Sequence, residues 1–156
     1  QGSTFHLFLP RHQGTAPFEP AADGSSSGGY RIPVTGRSVL VVDDEPMLAD
    51  QYRLALEAAG WRCTAVTHPE VALAHLKAQP DAFDLLLTDL TMPGHDGLAV
   101  ARAAVAARPG LPVVLCTGFG EALSEADWRS AGVVRLLRKP ILPDDLIREL
   151  DRIANP

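Results

Sequence analysis

The stretch FDLLLTDLTMPGHDG, residues 83–97, is an apolar run that ends in the carboxylate of Asp89 and then breaks at Pro93 and Gly94. A short apolar run is typical of a buried strand, and proline and glycine after it are typical of a loop. Two other apolar runs also end in charge: residues 39–42 precede Asp43-Asp44-Glu45, and the run from Val133 precedes Lys139-Pro140. Because open α/β sheets bind ligands at the carboxyl ends of their strands, these charged side chains are predicted to form one site.

Short apolar runs alternate with segments of helical periodicity, which predicts five βα units around a parallel sheet. Besides 39–42, strands are expected at 61–66, 83–88, 112–116 and 133–138. Right-handed crossovers leave few ways to wind five such units, and a common strand order is 2-1-3-4-5. The predicted fold class is therefore α/β, a doubly wound, flavodoxin-like (βα)5 parallel sheet with that order.

Several residues mark the expected helix ends. Pro46 suits the first turn of a first helix and Gly60 suits its end. Thr67 and Glu70 have the spacing of a capping box for the second helix. Residues 121–131 give the weakest helix prediction, because few apolar residues there share one face.

The chain has 156 residues, 46% of them hydrophobic, so it can bury one core of ordinary size. Residues 11–37 are rich in proline, glycine and serine, which predicts a flexible linker before a folded domain at 38–156. The net charge of −5 indicates no nucleic-acid partner, and no apolar stretch approaches the roughly 20 residues that span a bilayer. Cys63 and Cys116 are expected to be reduced core thiols of a cytoplasmic fragment without membrane contact.

Three carboxylates and one ammonium are predicted at the shared edge of the sheet. In the expected strand order the first and third strands are neighbours, so Asp43, Asp44 and Asp89 share a crevice. Carboxylates this close resist joint ionisation unless a cation neutralises them, and an all-oxygen ligand set favours Mg²⁺. With Lys139 and the hydroxyl of Thr117 nearby, the set suits phosphoryl transfer to Asp89.

Each of these residues also has a simpler interpretation when it is taken alone. An aspartate after a strand is commonly a turn residue, and the acidic triplet 43–45 before a proline could be helix N-terminal acid. Lys139 could be a solvated charge and Thr117 a turn donor, while Asp96 is interpreted as polarity at a helix start rather than as a ligand. Joint placement at the ends of four strands favours the functional interpretation, in which the small Gly118 also leaves room for a phosphate.

Four motifs, in order and spacing, resemble the receiver domain of two-component response regulators over roughly residues 37–155: VLVVDDEP (39–46), LLTDLTMPG (86–94), LCTG (115–118) and RKP (138–140). The resemblance implies that Asp89 accepts phosphate from a phosphohistidine with Mg²⁺ as cofactor. It implies metal ligation by Asp44 directly, Asp43 largely through water, Asp89, and the backbone carbonyl of Thr91. The phosphoryl group would be held by Thr91, Thr117, Gly118 and Lys139, and the Lys139–Pro140 bond is expected to be cis.

One departure from the family pattern is Leu136, which stands where such receivers usually place Tyr or Phe as a rotameric switch. A ring swing is therefore not expected. Signalling is expected to proceed through Thr117, drawn toward the phosphate, and through repacking near the fourth helix. By the same resemblance, the fragment is not a turnover enzyme but promotes the phosphorylation and dephosphorylation of its own aspartate.

Residues 1–10 resemble the closing turn and last strand of a histidine-kinase ATP-binding domain, with a vector-derived or irregular leader as the alternative. The resemblance implies a hybrid sensor histidine kinase that carries this receiver at its C-terminus, and it allows a membrane anchor in that parent kinase. The expected partner is that sensor kinase or a histidine phosphotransfer protein. Because the chain stops at Pro156, output is expected through protein contacts.

Two other classes fit the sequence less well. Aspartyl-phosphate hydrolases also use a nucleophilic aspartate and Mg²⁺, but they need a second aspartate at the position of Thr91. A pure interaction module with a dead site would lack the acidic pair or the lysine, and both are present.

Overall fold

The computed structural model describes residues 36–118 and 123–155. The predicted kinase remnant at residues 1–10 and nearly all of the predicted linker lie outside the described residues. The described part of the chain begins at Gly36, two residues before the first strand.

Five parallel strands form the main sheet of the described residues. In chain order they are Ser38–Val42 (β1), Arg62–Val66 (β2), Leu85–Asp89 (β3), Val113–Thr117 (β4) and Val133–Arg138 (β5). The strand order across the sheet is β2-β1-β3-β4-β5, so the predicted order 2-1-3-4-5 and the predicted fold class are confirmed.

In the described residues each strand is followed by an α-helix: Pro46–Ala58 (α1), Pro69–Ala78 (α2), Gly97–Ala107 (α3), Glu125–Ser130 (α4) and Pro143–Ala154 (α5). Two small elements were not predicted. One is a 3₁₀ turn at Pro80–Ala82, and the other is a hairpin that pairs Thr91–Met92 with His95–Asp96. The hairpin lies directly after Asp89, so it shapes the loop that follows the third strand.

The sheet is buried on both faces because side chains alternate along each strand. From β1, Val39 and Val41 face the layer that contains Tyr52 of α1 and Leu150 of α5. Leu40 and Val42 of the same strand belong to the opposite layer, to which α2 and α3 contribute the following buried residues: Ala72, Leu76, Val100, Ala101 and Ala104. Fully burying one leucine or valine side chain contributes roughly 1.5–3 kcal/mol, so this two-sided burial is the main support of the fold.

The ends of α1 follow the sequence, whereas the start of α2 does not. Pro46 opens α1, the helix ends at Ala58, and Gly60 adopts a φ of 89°, a conformation that favours glycine. The capping box predicted at Thr67 and Glu70 is wrong, because α2 has no side-chain cap. The hydroxyl of Thr67 instead lies 2.9 Å from Nδ1 of His68.

The fourth helix is shorter than the predicted span 121–131. It begins at Glu125, after Ser124, whose side chain accepts a hydrogen bond from the backbone N–H of Asp127. None of its residues is buried, and Trp128 is half-buried against the adjacent core. The other tryptophan of the chain, Trp61, is buried on the opposite face and donates its Nε1–H to Asp151 of α5 at 3.1 Å.

Every helix within residues 36–118 and 123–155 falls short of the length or the apolarity that a bilayer crossing demands.

Candidate functional site

Three charged residues predicted for the site lie together at the carboxyl edge of the sheet. Asp43 follows β1, Asp89 is the last residue of β3, and Lys139 follows β5. Because β1 and β3 are hydrogen-bonded neighbours in parallel, Val42 pairs with Thr88, which places Asp43 opposite Asp89. Both carboxylates are buried, with Asp43 2% exposed and Asp89 7% exposed.

Backbone hydrogen bonds hold these residues beyond the regular ladder. The N–H of Asp43 donates to Val66 O at 3.2 Å, and the N–H of Lys139 donates to Thr117 O at 2.8 Å. The bond between Lys139 and Pro140 is cis, as the resemblance implies. The main chain therefore fixes where each charged side chain leaves the sheet.

The ammonium of Lys139 bridges the two buried carboxylates. Its Nζ lies 2.7 Å from Oδ2 of Asp43 and 2.7 Å from Oδ1 of Asp89. The other oxygen of Asp43 accepts the backbone N–H of Glu45 at 3.0 Å, so both oxygens of that carboxylate are engaged. Charge-assisted bonds of this length are the strong kind, and here they join strands β1, β3 and β5.

Burial and charge shift the ionisation of this group. Burial raises the pKa of Asp89, and the neighbouring carboxylates Asp43 and Asp44 raise it further, against the opposing effect of Lys139. Burial by itself lowers the pKa of Lys139, but the hydrogen bonds to Asp43 and Asp89 outweigh it, and the net pKa lies above the usual lysine value. The raised pKa of Lys139 favours its charged form, whereas the raised pKa of Asp89 means that ionising this carboxyl costs more free energy than in water.

Asp44 is placed differently from the other two aspartates. It is exposed and lines a cavity of about 300 Å³, which is bounded by Asp44, Pro46, Thr67, His68, Pro69, Met92, Pro93 and His95. Its carboxylate still acts on Asp89 electrostatically, so the three acidic residues belong to one region. Of the three aspartates predicted to share a crevice, the ion pair with Lys139 joins Asp43 and Asp89.

The carboxylates suit a hard cation by donor type but do not form a closed cage. Within residues 36–118 and 123–155, no three Asp, Glu, His or Cys side chains are grouped so that they could by themselves hold a metal ion. Mg²⁺ usually binds through one or two carboxylates, several waters and a substrate phosphate, so an open arrangement agrees with that ion. The oxygens of Asp43, Asp44, Asp89 and the carbonyl of Thr91 remain the predicted ligands.

The other predicted phosphate contacts lie around Asp89. Thr117 is buried at the end of β4, and Gly118 follows it at half exposure. Thr91 is exposed at the start of the hairpin, two residues after Asp89. Asp96 caps α3 by accepting the N–H of Leu98 at 2.9 Å, which confirms its assignment to the helix start.

Gly97 is a site residue that the sequence reasoning missed. A Cβ at this position would lie 2.1 Å from the backbone oxygen of Asp89, closer than any side chain can approach. Its N–H also donates to Leu90 O at 2.7 Å. The signal available in the sequence was the Asp96-Gly97 pair at the end of the loop, which reads as a turn and not as a close backbone approach.

Leu136 and the two cysteines lie in the core layers. Leu136 is partly buried and packs against the layer that contains Trp128 of α4, so the predicted switch position faces the short helix. Cys63 and Cys116 are both free thiols, and burial raises the pKa of each to about 12. A neutral thiol at the partly buried Cys63 and another at the buried Cys116 agree with the predicted structural role.

The fold places this charged site at the carboxyl edge of a doubly wound α/β sheet, and comparison with known proteins identifies the family. Residues 39–151 match the response regulator receiver domain, so the chain belongs to that family. It is 31% identical over 117 residues to the response regulator receiver protein CpdR of Brucella abortus (strain 2308), covering 75% of this chain and 96% of CpdR.

A longer relative is the C4-dicarboxylate transport transcriptional regulatory protein DctD of Rhizobium meliloti (strain 1021), which is 33% identical over 115 residues. That match covers 74% of this chain and 25% of DctD. The chain spans between 18% and 26% of the length of three of the longer relatives that it matches. The activities of those whole proteins are therefore not assigned to this chain.

Solved structures agree with the fold. The crystal structure of a response regulator receiver protein from Sinorhizobium medicae WSM419 is 32% identical with a TM-score of 0.64, covering 76% of this chain and 94% of that one. A receiver domain protein from Clostridium thermocellum superposes with a TM-score of 0.72 at 24% identity, over 76% of this chain and 94% of that one, and supports the fold alone.

Proposed function

We propose that this chain is a phosphoacceptor receiver of two-component signalling in which Asp89 takes a phosphoryl group from a phosphohistidine. The observation that carries the proposal is the bridge made by Lys139, whose ammonium lies 2.7 Å from Asp89 and 2.7 Å from Asp43. A buried nucleophilic carboxylate needs a cation both to keep it ionised and to receive the charge of an incoming phosphoryl group.

The proposed step is an in-line displacement. An oxygen of Asp89 forms the new bond to phosphorus, the bond from phosphorus to the imidazole nitrogen breaks, and its electron pair stays on that nitrogen. The ammonium of Lys139 turns from Asp89 to a phosphoryl oxygen and remains paired with Asp43. The hydroxyl of Thr117, the backbone at Gly118 and the side chain of Thr91 supply further donors around the equatorial oxygens.

Mg²⁺ is the proposed cofactor, held by Asp44, Asp43, Asp89 and the carbonyl of Thr91. When bound, it neutralises negative charge on the phosphoryl oxygens and on the attacking carboxylate. The electrostatic influence of Asp43 and Asp44 on Asp89 supports this proposal, since mutual repulsion of these carboxylates is what a divalent cation relieves.

We propose that the fragment promotes its own phosphorylation and dephosphorylation and catalyses no other reaction. Its proposed phosphodonor is either a sensor histidine kinase in the same polypeptide, which would make the parent protein a hybrid kinase, or a histidine phosphotransfer protein.

With Leu136 at the switch position, the conformational change on phosphorylation is proposed to run through Thr117 and α4 without a ring swing. The DNA sequence upstream of Gln1 tests the hybrid proposal, which fails if no kinase core is encoded there.

The phosphoacceptor proposal is tested with a small phosphodonor. Incubation with phosphoramidate and Mg²⁺ should raise the intact mass by one phosphoryl group, and D89N should abolish the gain. D96N is the matched control, because it makes the same chemical change in the same loop at a residue that caps α3 and pairs with Arg102. An unchanged mass in the native chain would instead support an interaction module.

A further inference from the structure

A cavity lies behind the ion pair, between α1 and the start of α5. Its volume is about 490 Å³, and it is lined by Leu48, Gln51, Tyr52, Lys139, Pro140, Ile141, Leu142 and Pro143. Tyr52 and Lys139 share this wall although they are far apart in sequence. The cavity therefore connects a tyrosine of the first helix with the lysine of the site.

Tyr52 is a polar residue on an otherwise apolar helix face. It is 3% exposed and packs in the layer formed by Val39, Val41 and Cys116. Across the described ranges 36–118 and 123–155, neither main chain nor side chain forms a hydrogen bond with its hydroxyl. The hydroxyl is not sealed from accessible space, because among the described residues the buried side-chain atom without a partner belongs to Arg108, and the space that Tyr52 lines is this cavity.

The charged side chains of the site act electrostatically on Tyr52. Burial is the main reason why the pKa of Tyr52 lies above its usual value, and Cys116, Asp43 and Asp89 raise it further while Lys139 lowers it. Tyr52 thus lies in the electrostatic field of the three groups that form the ion pair.

The lysine has one donor to spare. An ammonium carries three N–H donors and no acceptor, and two of those of Lys139 are directed to Asp43 and Asp89. The third is engaged by neither carboxylate, and Tyr52, whose hydroxyl oxygen can accept a hydrogen bond, lines the same cavity as Lys139. A single water can join groups that are too far apart for a direct bond, at little cost in free energy.

We propose that Tyr52 is a positioning residue for Lys139: its hydroxyl oxygen accepts the third N–H of the ammonium through one cavity water. This inference rests on the proposed function, because the link matters most when Lys139 turns from Asp89 to a phosphoryl oxygen. With two of its three donors anchored, at Asp43 and through water at Tyr52, the ammonium moves through a small arc to a defined place.

The test is Y52F, which keeps the ring and removes only the hydroxyl. The maximal rate of phosphorylation by phosphoramidate should fall about five- to ten-fold, as expected for loss of one hydrogen bond of ordinary strength, with unchanged half-saturating concentrations of phosphoramidate and Mg²⁺. Circular dichroism in urea verifies the fold, and Y30F, at the other tyrosine of the chain, is the matched control.

A second measurement reports on Lys139 directly. The chain has only two lysines, Lys77 and Lys139, so their Nζ protons are readily separated by ¹⁵N NMR, and Lys77 is exposed and serves as an internal reference. Exchange of the Lys139 protons with water should accelerate in Y52F, while that of Lys77 stays constant. A purely packing role for Tyr52 would leave this exchange unchanged.

The two proposals fail in different ways. If the native chain is phosphorylated while Y52F matches it in maximal rate and in Lys139 exchange, the positioning role is wrong and the phosphoacceptor function stands. If the native chain takes up no phosphate, the phosphoacceptor function fails, and unchanged Lys139 exchange in Y52F would overturn the positioning role independently.

Discussion

The α1–α5 face of the sheet and the α4 segment differ sharply in how much they bury. On the α1–α5 face, two helices of 13 and 12 residues contribute buried Tyr52, Leu56, Leu146 and Leu150. The α4 segment is a helix of six residues without a buried side chain. Its main attachment to the core is the half-buried Trp128.

The difference in burial distinguishes the region that anchors the charged side chains from the region expected to respond to phosphorylation. Asp43 lies three residues before α1 and Lys139 four residues before α5, so the deeply packed helices begin where the ion pair is anchored. The α4 segment follows the strand that ends at Thr117. Segments with little buried apolar area open at low free-energy cost, so the proposed response to phosphorylation of Asp89 is expected in α4.

Truncation of Leu56 should produce the largest loss of stability. L56A removes a fully buried side chain of α1 and is expected to lower the free energy of unfolding by about 2–5 kcal/mol in urea denaturation. L54A, on the same helix but 54% exposed, is the matched control and should cost less than about 0.5 kcal/mol. If W128A on α4 cost as much as L56A, the contrast between the two regions would be wrong.

Removal of the Lys139 charge should come next. K139M leaves Asp43 and Asp89 buried without their cation, so the free energy of unfolding is expected to fall by about 2–3 kcal/mol near neutral pH. This loss is at the lower end for buried pairs because the lysine is 21% exposed. K77M, at the exposed lysine of α2, should be nearly neutral. Equal melting temperatures for the two variants would show that the ion pair does not anchor this face.

D89N should stabilise the fold by a smaller, pH-dependent amount. Folding raises the pKa of Asp89, so this side chain contributes stability at pH values below its pKa in the unfolded chain. That contribution is lost as the pH rises through the pKa of the folded state, because Asp89 then ionises. The melting temperature of D89N minus that of the native chain should therefore grow between about pH 4 and neutral pH. The raised pKa of Lys139 acts only in the alkaline range, so it leaves this window unaffected. A difference that shrinks with rising pH would contradict the raised pKa.

Truncation of Arg129 on α4 should have the smallest effect. Its guanidinium lies 2.7 Å from Glu125 and 4.8 Å from the ring centre of Trp128, but both contacts are exposed. R129A is expected to cost less than about 1 kcal/mol in urea denaturation. A larger loss would mean that surface contacts hold α4 as firmly as burial holds α1.

Much of the fold follows from the sequence because apolar runs and helical spacing report burial directly. The strand order and the convergence of Asp43, Asp89 and Lys139 are predictable, since topology alone brings the carboxyl ends of parallel strands together. The pairing within that group is not, because Lys139 selects its carboxylates by local geometry while Asp44 turns toward solvent.

Local competition explains the remaining errors. The capping box failed because the hydroxyl of Thr67 lies against the ring of His68 rather than over the first turn of α2. The hairpin after Asp89 has strands of only two residues, too short to leave an alternating pattern in the sequence. The close approach of Gly97 to Asp89 depends on the path of the whole loop, which no local pattern encodes.

The placement of the two tryptophans gives each region its own optical reporter. Trp61 is sealed in the α1–α5 layer with its indole N–H bonded to Asp151, whereas Trp128 is partly open to water on α4. An indole in an apolar pocket emits at shorter wavelength than one in contact with solvent, so the intrinsic fluorescence of this chain has two separable components. Quenching by a soluble agent such as iodide would select the longer-wavelength component, and with it the part of the molecule in which the response to phosphate is expected.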